Sequence, residues 1–157
     1  MKKILIPIAG LCFITLIACN NLDNKKDDKV TAVPKTTADS LENEVMDGHN
    51  AAMAKYGKLQ AMQNEAQHLL DSIAALPAKA LQAAATLKTK LGDLVEDLKS
   101  AKANMDKWMD EYNMDSAKND IEQRIKYLAE EKLKVNKIKD AILIGLQRAD
   151  SVLKAKL

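Results

Sequence analysis

A chain of 157 residues is long enough for one domain, or for one domain and a tail. Its apolar share is mostly Ala, Leu, Ile and Met, with one Trp, one Phe, three Tyr, five Gly and three Pro; this favours helices and argues against an all-β fold. Lys and Arg number 24 against 22 Asp and Glu, and the two signs intermingle from residue 42 onward. No basic stripe offers counterion release to a polyanion, so nucleic acid is excluded as the expected partner.

The N-terminus reads as a leader. Met1-Lys2-Lys3 is a short cationic stretch, and Ile4 to Ile17 is apolar except for Pro7, Gly10 and Thr15. The apolar run is shorter than the ~20 residues of a comfortable transmembrane helix and has the form of a secretion signal. It ends in Leu16-Ile17-Ala18-Cys19, which resembles the lipobox of bacterial lipoproteins. That resemblance implies a signal peptide over 1–18, diacylglycerol on the Cys19 thiol, cleavage before Cys19, and an N-acyl group on the new amine. Two or more chains suffice for stable anchoring. The competing readings are an ordinary signal peptide cut elsewhere and a retained membrane helix.

Loss of the leader removes Lys2, Lys3 and Cys12, leaving a mature chain of near-zero net charge with its one thiol lipidated. A disulfide, a thiolate metal ligand and a cysteine nucleophile are then all excluded. Asn20 to Ala38 is polar and nearly free of large apolar residues, so 19–38 is expected to be a lipidated, disordered tether with a reach of ~25 Å.

From residue 39 to 157 the apolar period is close to seven residues per two turns. One row of the first segment is Val45, Ala52, Leu59, Ala66 and Ile73, with His49, Tyr56, Gln63 and Leu70 beside it. Asp39 or Ser40 is the expected cap. The second segment has Ala84, Leu91, Leu98, Met105 and Tyr112, flanked by Leu87, Leu94, Ala101 and Trp108. The third has Ile121, Leu128, Val135, Ile142 and Ala149, flanked by Ile125, Leu146 and Leu153 and interrupted by Lys132 and Lys139. Asp115 or Ser116 is its expected cap. These rows predict helices at about 40–75, 78–112 and 117–155, packed as a long antiparallel, coiled-coil-like three-helix bundle of all-α class. Pro77 admits a hairpin or a kink; the hairpin is favoured because a lone kinked rod would expose its apolar stripe. The interrupted third seam leaves room for a partner.

Templates for catalysis are missing: there is no Gly-rich phosphate loop, no GxSxG and no HExxH. A non-enzymatic protein is expected. One cluster could carry chemistry. Met46, His49 and Met53 share a helical face, as do Met105, Trp108 and Met109. A reversal near Pro77 would set Met46 opposite Trp108 and His49 opposite Met105. Imidazole and thioethers form a soft ligand set suited to Cu(I), and periplasmic copper carriers use a similar mixture of His, Met and Trp. The competing reading is core packing, in which Met fills gaps and contacts aromatic rings.

Glu44-Val45-Met46-Asp47-Gly48-His49 with Met53, and the later Met105-Asp106-Lys107-Trp108-Met109, resemble a family of small Bacteroidetes lipoproteins often labelled "viral A-type inclusion protein". The likeness covers the leader and residues 40–112, and departs after Met53 at Ala54-Lys55-Tyr56. It implies a helical lipoprotein of the cell envelope with no known activity; Asn20 after Cys19, in place of the Asp associated with inner-membrane retention in enteric bacteria, makes the outer membrane the expected address for the lipid anchor, facing the periplasm or the outside. Taken together, the expected function is a membrane-tethered interaction or structural module whose partner is a protein or a second copy engaged through helical faces. Cu(I) binding is the alternative.

Overall fold

A computed structural model describes residues 36–154. The leader, the lipobox with Cys19, and the tether up to residue 35 lie outside the described residues, as do the last three residues. Among the described residues the only regular elements are helices: α1 (Thr37–Ala74), α2 (Ala78–Ala83), α3 (Ala85–Glu111) and α4 (Ile121–Lys154). None of them is long and apolar enough to cross a membrane.

α1 starts earlier than expected from Asp39 or Ser40. Thr36 is the cap: its hydroxyl accepts from the Asp39 N–H at 3.1 Å, and the Asp39 carboxylate accepts from the Thr36 N–H at 3.0 Å. Two of the four orphan N–H groups of this helix end are thereby satisfied by a reciprocal box. The extra turn also buries Ala38, seven residues before Val45, so Ala38, Val45, Ala52, Leu59, Ala66 and Ile73 form one buried row at constant spacing. The last residues assigned to the tether, Thr37 and Ala38, are therefore helical.

The chain reverses between Ala74 and Ala78. The Ala75 and Leu76 N–H groups close on the Asp71 and Ile73 carbonyls, and Pro77 opens α2 with a backbone suited to a helix start. Pro77 thus sits in a hairpin. The single helix expected over 78–112 bends at Ala84, whose φ and ψ are −87° and 3°, and no residue of α2 is buried.

α4 starts later than expected. Asp120, not Asp115 or Ser116, is its cap, accepting from the Glu122 and Gln123 N–H groups at 3.1 Å each. The residues before it are committed to a turn. Asn113 accepts from the Asp115 N–H, Ala117 adopts a left-handed φ of 55°, and Arg124 holds the Ser116 carbonyl at 2.8 Å. Ile121 consequently lands on the first helical position and is 58% exposed, outside the seam assigned to it.

Contacts between helices define the topology. Glu42 meets Arg124, Glu44 meets Lys132 and Lys58 meets Asp150, so α1 and α4 run parallel. Tyr56 meets Asp106 and His49 meets Trp108, while Arg148 meets Asp97 and Trp108 meets Glu131, so α3 runs antiparallel to both. The result is an up-down-up three-helix bundle, about 57 Å long by the rise of α1. Its core is slim: Val45, Leu59, Leu91, Leu94, Leu98, Met105, Leu128, Val135 and Ile142 are fully buried, with Ala52, Ala66, Ala101 and Ala149 between them. α1 and α4 lie close at Gly48, where an added Cβ would stand 3.0 Å from Val135 Cγ1.

The interruptions in the third seam do not leave a gap. Lys132 reaches across to the Glu44 carboxylate, and Lys139 donates to Asn136 Oδ1 at 2.9 Å. Both are half-buried, with stems lying along the α1–α4 boundary and charged ends carried outward to polar partners. The opening for a partner expected at this seam is closed by α1.

Candidate functional site

The polar and aromatic chemistry of the described residues concentrates near the end where α1 begins and α3 turns into α4. His49, Trp108, Tyr112 and Tyr127 form a ladder. His49 lies 5.7 Å from Trp108 at 34°, Trp108 stacks on Tyr112 at 4.8 Å and 20°, and Tyr112 stacks on Tyr127 at 6.2 Å and 13°. The chain contributes Trp108 and Tyr112 because they fall on the two inward rows of α3 as it ends. Tyr127 comes from the first turns of α4, and its hydroxyl accepts from the Asn113 N–H at 2.8 Å, tying the loop to the ladder.

Two charged residues are buried here. Glu131 is 5% exposed; it accepts from the Trp108 indole N–H at 2.8 Å and from Lys134 at 2.7 Å. Arg124, also 5% exposed, binds Glu42 at 3.1 Å as well as the Ser116 carbonyl. Each buried charge therefore has a partner of opposite sign and a neutral partner, the condition under which burial is tolerated. The hydrogen bond that Lys134 donates to the Glu131 carboxylate holds the Lys134 ammonium pKa above its ordinary value. Tyr112 Oη is buried without a hydrogen-bond partner among the described residues. Burial pushes the Tyr112 pKa above its usual 10, the Glu42 charge adds to this, and Arg124 opposes it.

A second polar group lies one turn deeper. Tyr56 donates to Asp106, and Lys102 lies 5.0 Å over the Tyr56 ring while binding Asp106 at 2.9 Å. The hydrogen bonds from Tyr56 and Lys102 hold the Asp106 carboxyl below its ordinary range. Asp115 is likewise lowered, by Lys118. Carboxylates shifted in this direction stay ionised at neutral pH and do not serve as proton donors there.

Of the six residues proposed as a soft-metal set, His49 and Trp108 are in ring contact. Met105 is fully buried in the core; Met53 and Met109 are half-buried against it, and Met46 is half-buried. The register differs from the one expected: Trp108 meets His49, and its indole N–H donates to Glu131 on α4. No group of three His, Cys, Asp or Glu side chains gathers at metal-binding range among the described residues. His68 is exposed, as its position off the seam predicts.

Arg124 and Glu131 belong to no apolar row because they are charged, and Tyr127 falls beside the rows of the third segment, so none of the three stands out in the sequence. A signal existed. Arg124, Leu128, Glu131 and Val135 follow the four-three-four spacing of an inward face, so both charges lie on the row that packs. The chain was compared with family models, curated proteins and solved structures, and none matches it.

Proposed function

We propose that this chain is a bacterial envelope lipoprotein, anchored through lipid on Cys19, whose helical bundle is a non-enzymatic interaction module. The observation that carries the reading is the leader: a cationic start, an apolar run too short to span, and Leu16-Ile17-Ala18-Cys19 at its end. The likeness of the Glu44–Met53 and Met105–Met109 stretches to small Bacteroidetes lipoproteins points to the same address, with the lipid in the outer membrane. The bundle suits the role because its charges are mixed and its apolar rows are spent on its own core. Recognition then falls to surface helical faces rather than to a deep pocket.

Intact mass spectrometry of the chain isolated from membranes of a bacterial host tests the anchor. The expected species starts at Cys19 and carries a diacylglycerol and an acyl increment; Cys19→Ser should abolish the increment and release the chain from the membrane fraction. An unlipidated chain with a different N-terminus would sink this reading.

A second reading, Cu(I) binding, is favoured by one detail. The His49 Nδ1 sits 3.2 Å from Asn50 Oδ1, a contact that favours the tautomer with a lone pair on Nε2, the form a soft metal requires. Anaerobic Cu(I) titration of the full chain should then show an affinity at least about tenfold above those of His49→Ala and Met105→Leu, a loss of about 1.4 kcal/mol. Equal affinities for all three would end the idea. Met105→Leu is chosen because it conserves volume in the core.

A further inference from the structure

The outer face of α4 carries a second seam that nothing in the bundle covers. Lys126, Glu130, Leu133, Lys137, Asp140, Ile144, Gln147 and Ser151 are spaced four, three, four, three, four, three, four, and every one of them is exposed. This is the spacing that keeps one stripe of a helix facing a partner helix. Leu133 and Ile144 are its apolar members and, at 72% and 65% exposure, the two most exposed large hydrophobic residues among those described.

The four central positions of the stripe are palindromic in chemistry. Laid antiparallel against a copy of itself with the two-fold axis between residues 138 and 139, Leu133 faces Ile144 and Lys137 faces Asp140, each pair occurring twice. At the ends Glu130 faces Gln147 and Lys126 faces Ser151. No like charges meet. Laid parallel, the same stripe sets Lys126, Glu130, Lys137 and Asp140 each against its own copy, four repulsive contacts. Lys137 makes no ion pair among the described residues, and Asp140 has only its chain neighbour Lys139, at 3.5 Å. Both charges are therefore available to a facing helix.

We infer that α4 is a self-association surface, through which two copies of this chain pair antiparallel about a two-fold axis. The contact is isologous: the same patch serves both subunits, and the palindrome is what such symmetry requires. With one helix per subunit and two apolar pairs the interface is small, so the dimer belongs to the weak class that forms and separates readily. This deepens the interaction-module reading and rests on it, naming a second copy as the partner.

Disulfide trapping in the full chain tests the geometry. In the antiparallel pair, Leu133→Cys of one copy faces Ile144→Cys of the other across the axis, within the ~7 Å between Cα atoms that a disulfide tolerates. Either substitution alone would stand about 16 Å from its own copy, eleven residues along the helix. Mild oxidation should yield disulfide-linked dimer from the double variant several-fold above both single variants and above the wild-type chain. Adding Lys137→Asp should reduce that yield several-fold, and adding Asp140→Lys with it should restore it. Single variants that trap as well as the double would mean a parallel pair and overturn the inference; equal background in all of them would overturn it too. The fraction of chain in the membrane pellet, scored in the same samples, reports the anchor separately from the dimer.

Discussion

Trp108→Ala is expected to destabilise the bundle by about 3–5 kcal/mol, the largest effect of any single truncation in this core. The ring is 5% exposed and lies between His49 and Tyr112, so its removal opens a cavity in the middle of the ladder. It also strips Glu131 of a hydrogen-bond donor, leaving a buried carboxylate with Lys134 alone. Trp108→Phe separates the two contributions. It keeps an aromatic ring near the stack and removes the N–H, and should lose about 1–3 kcal/mol, the range for a buried polar group left unsatisfied. Urea unfolding followed by circular dichroism at the helical band gives both values without relying on indole fluorescence. A Trp108→Ala protein within about 1 kcal/mol of wild type, inside the range of ordinary surface changes, would contradict the buried position of the ring.

Gly48→Leu and Gly57→Ala should shift stability in opposite directions, although both glycines lie within α1. At Gly48 a Cβ would stand 3.0 Å from Val135 Cγ1 and 3.3 Å from Asn136 Oδ1, so a leucine must drive α1 and α4 apart. A net loss of about 2–3 kcal/mol is expected even after the gain in helix propensity. At Gly57 nothing lies within 4 Å of the same added atom. Alanine there should stabilise by about 0.5–1 kcal/mol, by reducing the freedom of the unfolded chain and favouring the helix. Thermal melts of the two variants against wild type decide it. A stabilised Gly48→Leu would mean that α1 and α4 do not approach as described.

The residues that settle these outcomes differ in how readable they were. Val45, Ala52, Leu59, Ala66 and Ile73 declare themselves by constant spacing, as do Leu91, Leu98 and Met105, because a seven-residue period returns a side chain to the same face regardless of what packs there. Trp108 was legible as an inward residue for the same reason, but its partner was not. Which residue of α1 meets it depends on the axial slide between helices, and apolar rows of Ala and Leu pack at several registers with little difference. Trp108 meets His49 on α1 and donates its indole N–H to the buried Glu131 on α4, a three-helix contact invisible to any pairwise count.

The helix ends show the same division. Thr36, Asp39, Asp115, Ser116 and Asp120 are all capable caps, and local chemistry ranks them nearly equal. At Thr36 the reciprocal box with Asp39 acts together with Ala38, which extends the buried row; at the other end Arg124 pins the Ser116 carbonyl into a turn and leaves Asp120 to start α4. Lys132 and Lys139 looked like flaws in a seam when counted along one helix. Glu44 gives Lys132 a partner once α1 lies alongside, and Lys139 finds Asn136 one turn back on α4 itself.

By itself, then, the sequence determined the all-α class and the apolar rows and marked Pro77 as a break, because periodicity and proline stereochemistry act within a few turns of chain; that the break is a reversal rather than a kink was left to the packing of α3 on α1. Tertiary structure alone decided the register between helices, the burial of Arg124 and Glu131, and the face of α4 that stays uncovered. Those depend on which side chains from distant segments satisfy one another, and a buried charge is stable only where such a partner arrives.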